Sequence, residues 1–121
     1  DTVSQSISIA DLVQNHVYRL HHKMFPVVTD GHVAGCVTTR QIHQIPREEW
    51  DRRTVGEVME PCTPENTASP DDDALSTLAR MSSSGHSRLL VVDHDELKGI
   101  ISLKDLTRFI ALKLDMESEA A

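Results

Sequence analysis

The sequence predicts a mixed α/β (α+β) fold made of two β-α-β-β-α repeats packed sheet to sheet about a pseudo-twofold axis. Three observations carry this expectation. Residues 25–42, FPVVTDGHVAGCVTTRQI, fall without a gap on residues 89–106, LLVVDHDELKGIISLKDL, when the chain is displaced by 64 positions. Within each copy, short β-branched runs alternate with polar turns. A stretch with helical spacing of apolar residues precedes each copy.

The elements follow in order. Ser8 is placed to cap a helix through IADLVQNHVYRL, with Ile9, Leu12, Val13 and Val17 apolar. FPVV (25–28) is a buried strand, and VAGCV (33–37) is its partner. Asp30-Gly31 between them suits a tight hairpin, because glycine tolerates positive φ. Thr38 and Thr39 are caps for the helix that follows. PREEWDRR is a polar linker, and TVGEVM a short helical turn.

The second half repeats the plan. CTPENTAS holds a short strand. SPDDDALSTLARMS is a helix whose acidic start suits the positive end of the helix dipole. Its apolar positions are Leu75, Leu78 and Met81, and register slips by about one residue here. LLVV and LKGII form the second hairpin. Ser102 caps a last helix in which Leu103, Leu106, Ile110 and Leu114 recur at helical spacing. The expected division is a first repeat at 1–46, a linker at 47–53 and a second repeat at 54–121.

Composition narrows the function classes. A formal charge of −7 on 121 residues argues against a nucleic-acid surface, which needs a basic face. No apolar run reaches the roughly 20 residues that span a bilayer, so no membrane insertion of this segment is expected. Cys36 and Cys62 form no C-x-x-C pair, which fits a reduced, cytoplasmic setting. The chain begins at Asp1, so a fragment of a longer protein is expected.

Catalysis has no constellation. There is no H-E-x-x-H, no Walker loop and no G-x-S-x-G. The seven histidines, at 16, 21, 22, 32, 43, 86 and 94, form no repeated ligand pattern, so no metal site is expected. With four aromatics, Tyr18, Phe25, Trp50 and Phe109, a planar ring would rest mainly on aliphatic side chains and backbone amides.

The phosphate-binding chemistry is more specific. A hydroxyl at a helix N-terminus sits among free N–H groups, an end that favours phosphate. An acid one turn later can accept both hydroxyls of a ribose. Ser102 and Asp105 have that spacing. In the first copy Thr38 has the hydroxyl, but Gln41 replaces the acid. An amide lacks the charge-assisted strength of a carboxylate. The second site is therefore expected to be the better equipped.

Phe25-Pro26-Val27-Val28, Asp30-Gly31 and Gly35-x-x-Thr38 in the first half, with Val55-Gly56-Glu57-Val58-Met59, Leu90-Val91-Val92 and Gly99-x-x-Ser102-x-x-Asp105 in the second, resemble a tandem CBS-domain pair, or Bateman module. The linker IPREEWDRRTVGEVM is similar to that in CBS pairs at the C-terminus of site-two-protease-like intramembrane zinc metallopeptidases. The resemblance implies a cleft that binds an adenine nucleotide, AMP, ADP or ATP, as a regulatory ligand with no required cofactor. It implies ligand contacts at Ser102, Asp105, Arg88, Lys104 and His86, and at Thr38 and Gln41 in the first half. It also implies a non-catalytic module that forms a homodimer and controls an attached or associated effector. The dimer is expected through Leu103, Leu106 and Ile110 or the helix near Leu75. The competing expectation is a ligand-free module for protein interaction and dimerisation.

Overall fold

A computed structural model describes residues 2–17 and 23–120. They pack as two units, 1–62 and 63–121, each with its own sheet. The first contains β1 (Val3–Ser4), α1 (Ile9–Leu12) continuing into a π-helical turn at Val13–Val17, β2 (Met24–Thr29), β3 (His32–Thr38), α2 (Thr39–His43), a 3-10 turn at Arg47–Glu49, α3 (Val55–Val58) and β4 (Glu60–Pro61). The second contains β5 (Thr67–Ala68), α4 (Ala74–Ser84), β6 (Arg88–Asp93), β7 (Glu96–Ser102) and α5 (Leu103–Ala120). The expected helical residues Tyr18–Leu20, and His21 and His22, lie outside the described residues.

The repeat is written in the ladders themselves. β2 and β3 are antiparallel with Val27 opposite Gly35 and Phe25 opposite Val37. β6 and β7 repeat this with Val91 opposite Gly99 and Leu89 opposite Ile101. Each hairpin is irregular at the same place, between Val27 and Val28 and between Val91 and Val92. A short parallel strand flanks each pair. Val3 lies opposite Val27, whereas Ala68 lies opposite Val91. The expected one-residue slip thus falls between the short strand and the hairpin.

The first hairpin turns at Asp30 (φ 52°) and Gly31 (φ 79°), the double positive-φ geometry of a type I′ turn. The second makes the same turn without glycine, at His94 (φ 51°) and Asp95 (φ 64°). Left-handed backbone is costlier there for residues that carry a Cβ.

The first core gathers Ile9, Leu12, Val13, Phe25, Val27, Val37 and Val55. Val55 is fully buried in it, and the linker is bonded to the N-terminal segment: the Ile9 N–H donates to Arg53 O at 2.9 Å, and the Val55 N–H to Ile7 O at 2.9 Å. Trp50 packs on this core and donates its indole N–H to Ile45 O at 3.1 Å. Packing therefore divides the chain at Cys62/Thr63, later than the expected start of a second repeat at 54. The reason is that residues 54–61 give their apolar side chains and strand pairing to the first unit.

The second core is smaller: Ala68, Met81, Leu89 and Leu106, with Leu78, Ile101 and Ile110 packed against it. Two expected stripes are shorter than the periodicity implies. Leu75 is 63% exposed, and Thr77 is buried in the same helix with its hydroxyl donating to Asp73 O at 2.9 Å. On α5, the core contacts end at Ile110 among the described residues, and Leu114 is exposed. Among the described residues no helix is long and apolar enough to cross a membrane.

Candidate functional site

In both units a strand runs into a helix at a hydroxyl. Thr38 has extended backbone (φ −117°, ψ 161°) and caps α2, its Oγ1 accepting from the Gln41 N–H at 3.4 Å. Ser102 caps α5 in the same way, accepting from the Asp105 N–H at 3.1 Å. The entry is braced identically: the Thr39 N–H donates to Lys23 O at 3.1 Å, and the Leu103 N–H to Ser87 O at 2.8 Å.

The two corners differ in what the acid or amide does. The Gln41 side chain turns back and accepts from the Thr38 N–H through Oε1 at 2.7 Å, closing a reciprocal capping box. Gln41 is expected at a ligand. Its acceptor oxygen is instead committed to the helix start, and the pattern Thr38-x-x-Gln41 was itself a sufficient signal. In the second unit the Asp105 carboxylate has no hydrogen-bond or ion-pair partner among the described residues, and it is exposed. A side chain one methylene shorter than Glu does not close the box here.

The strand opposite adds a second difference. Arg88 is the ladder partner of Ser102, and Met24 is the partner of Thr38. Met24 is 7% exposed, whereas Arg88 is half-buried, with Nη1 donating to Ser87 Oγ at 3.4 Å. Sequence reasoning singled out Arg88 but not this contrast with a buried apolar residue.

Ser102, Asp105 and Arg88 are therefore brought to one corner of the second unit. His86 leads into it. Gly85, left-handed at φ 77°, ends α4, and the next residue's imidazole Nδ1 lies 3.0 Å from Ser84 Oγ. Lys104 is exposed in the first turn of α5. Thr38 and Gln41 belong to the first unit and are bonded to each other. Beside them Arg40, Gln44, Arg53, Glu57 and Glu60 line a polar concavity. Arg53 is paired there with Glu57 at 3.2 Å and with Glu49 at 3.4 Å.

The second corner thus combines a hydroxyl oxygen, an unpaired carboxylate, a guanidinium and the N-terminal N–H groups of an 18-residue helix. This set suits a polyol next to an anion. Among the described residues no three His, Cys, Asp or Glu side chains gather as metal ligands.

Residues 55–112 match the CBS domain family, a match that begins inside the stretch that packs with the first unit. A Mycobacterium tuberculosis protein named zinc metalloprotease Rip3 is 30% identical over 106 residues, 86% of this chain and 27% of its own length. The chain therefore spans under a third of that relative. The CBS domain of a bacterial CNNM/CorC family Mg2+ transporter, solved with ATP, superposes with a TM-score of 0.77 at 20% identity, covering 92% of this chain and 78% of that one. A CBS domain pair solved with 5′-methylthioadenosine and S-adenosyl-L-methionine gives 0.73 at 22% identity, covering 93% and 90%. The matched residues are thus a CBS domain, and the hairpin of the first unit repeats its register.

Proposed function

We propose that this chain is the regulatory module of a longer protein, and that it binds an adenine nucleotide at the Ser102–Asp105–Arg88 corner. The observation that carries the reading is the unpaired Asp105 carboxylate, one turn beyond a capping hydroxyl whose ladder partner is Arg88. In this reading Asp105 accepts the ribose hydroxyls. Ser102 Oγ–H and the first N–H groups of α5 meet phosphate. Arg88, with Lys104 and His86 in reach, neutralises it. Thr38 and Gln41 form the weaker or vacant counterpart.

Two neighbours of the same fold were solved with adenosine compounds, which supports this ligand class. The effector is a zinc metallopeptidase, as the kinship with Rip3 suggests. The module itself is not catalytic and acts in the cytoplasm.

The test is thermal melting of the chain with AMP, ADP and ATP. A ligand that binds only the native state raises the midpoint, by about 2.7 kcal/mol of stability at a hundredfold excess over Kd. No shift with any of the three would refute the reading.

A second reading rests on a separate observation. On α5, Phe109, Leu112 and Met116 are 55%, 59% and 62% exposed and line one apolar groove with Lys113 and Glu117. That face is proposed as the homodimer surface. Leu106, expected there, is in the core at 3% exposure.

A further inference from the structure

α5 carries a second apolar stripe. Asp105, Phe109, Leu112 and Met116 follow one another at intervals of four, three and four residues, which sets them in one line along a helix. The line lies roughly 100° around the axis from Leu106 and Ile110, which pack into the core. Its three apolar members are each more than half exposed and share one groove. Its first member is the carboxylate of the ligand corner. Charges flank the line, Arg108 and Asp115 on one side and Lys113 on the other. Arg108 and Asp115 are exposed, and neither forms an ion pair within the chain among the described residues. These charges choose both the occupant and its direction, because flanking charges decide which helix pairs and which way it runs. In a parallel pair of identical helices, each flank meets the other flank of the partner. Arg108 then faces the partner's Lys113, and the two Asp105 carboxylates share one layer, both repulsive contacts. In an antiparallel pair, each flank meets its own kind reversed. Arg108 then faces the partner's Asp115, and Asp115 faces the partner's Arg108. Phe109 packs on the partner's Leu112, and the same register sets the partner's Met116 on Asp105.

We propose that the stripe takes the α5 of a second copy in the antiparallel direction, and that this copy and the ligand exclude each other at Asp105. The proposal rests on the reading of α5 as the dimer face and of Asp105 as a ligand contact. Packed helices lie about 8–10 Å apart, so no ribose fits between Asp105 and a side chain seated over it. The carboxylate also loses water there against a thioether, which donates no hydrogen bond. Asp105 is therefore the weakest layer of the pair and the place where a ligand opens it. The effect is reciprocal: a ligand that needs Asp105 uncovered loosens the dimer by the factor by which the dimer weakens the ligand.

The experiment measures the dimer dissociation constant of the 121-residue chain by analytical ultracentrifugation. Arg108→Glu should raise it roughly tenfold, and adding Asp115→Arg should return it to the parent's value. A lower constant for Arg108→Glu alone would overturn the antiparallel direction, because the new acid would then be meeting the partner's Lys113. Asp105→Leu extends the apolar stripe and should lower the constant roughly tenfold in the absence of nucleotide. An unchanged constant would take Asp105 out of the interface and overturn the exclusion. AMP, ADP and ATP are then added in turn. Any of them that raises the melting midpoint should also raise the parent's dissociation constant and leave that of Asp105→Leu where it was. A nucleotide that raises the midpoint and leaves the parent's dimer intact would overturn the exclusion. If none shifts the midpoint, the ligand reading fails and the exclusion with it, while the Arg108 and Asp115 variants still decide the pairing.

Discussion

Alanine substitution at the two repeated positions should separate a structural role from a binding role. Gln41 and Asp105 stand at the same place after their hydroxyl caps. Gln41→Ala removes the 2.7 Å bond accepted from the part-buried Thr38 N–H and leaves that donor unpaired. A cap of this kind is worth about 0.5–2 kcal/mol, so the loss should be near 1 kcal/mol. For a chain of this size that lowers the melting midpoint by roughly 4 °C. Asp105→Ala breaks no side-chain bond. It loses the interaction of one exposed charge with the α5 dipole, about 0.3–1 kcal/mol at low salt and less at physiological salt. Binding should reverse the order. Loss of a charged hydrogen-bond acceptor weakens a ligand by about 1–3 kcal/mol, roughly 5- to 150-fold in Kd. Calorimetry on both variants should therefore show Gln41→Ala binding nucleotide as the parent does, and Asp105→Ala binding it poorly. Gln41→Asp should open the first corner to a ribose, with a gain greater for adenosine than for ATP, because Met24 stands where the other corner has Arg88. If Gln41→Ala abolishes binding while Asp105→Ala leaves it intact, the first unit holds the ligand and the capping argument fails.

Other outcomes follow from the same geometry. Gly35→Ala forces β4 off β3 and should cost about 2–4 kcal/mol, with unchanged denaturant midpoint as the refuting result. Burial, with Glu60 and Cys62 adding negative charge nearby, pushes the Cys36 thiol up to about 12, while Cys62 is exposed. A thiol reagent at neutral pH should therefore label Cys62 quickly and Cys36 only on unfolding. Because the folded value lies above the unfolded one of 9.0, this contribution is intact below pH 9 and declines between pH 9 and about 12, by about 1.4 kcal/mol per unit in a melting series. Light scattering should give a homodimer, and Leu112→Lys should yield monomer with an unchanged fold. Monomer for the parent at high concentration would refute this role for α5.

Much of the fold was legible because the repeat is a statement about pairing. When Val27 aligns with Val91 and Gly35 with Gly99, a shared ladder register is the physical content, and the hairpins carry it residue for residue. Asp30-Gly31 declared its turn, whereas His94-Asp95 makes the same left-handed turn with residues that do not announce it. Helical spacing overstated the buried faces. It marks which side of a helix is apolar, not how far the neighbouring sheet extends, so Leu75 and Leu114 came out exposed. The packing of the linker was hidden for the opposite reason. Its charged residues hid the few apolar anchors, Trp50 and Val55, that tie it to the first core. At the corners the spacing of Ser102 and Asp105 was readable, but the rival use of Gln41 required its amide to be seen turned back on Thr38.

One methylene thus sets two fates for a single sequence phrase, and the consequence is energetic. A side chain already bonded in the empty protein must break that bond before it serves a ligand, so the 2.7 Å contact of Gln41 subtracts from any affinity at the first corner. Asp105 carries no such debt. A ligand bound there regulates only through the difference in its affinity for two arrangements of the protein. If the Asp105 contact forms in just one arrangement, its roughly 1–3 kcal/mol shifts the equilibrium about 5- to 150-fold, the usual range of allosteric coupling. If it forms equally in both, the nucleotide binds and switches nothing. Asp105→Ala discriminates these cases in the intact protein: in the first it removes the effector's response along with affinity, and in the second it leaves effector activity, with or without nucleotide, where it was.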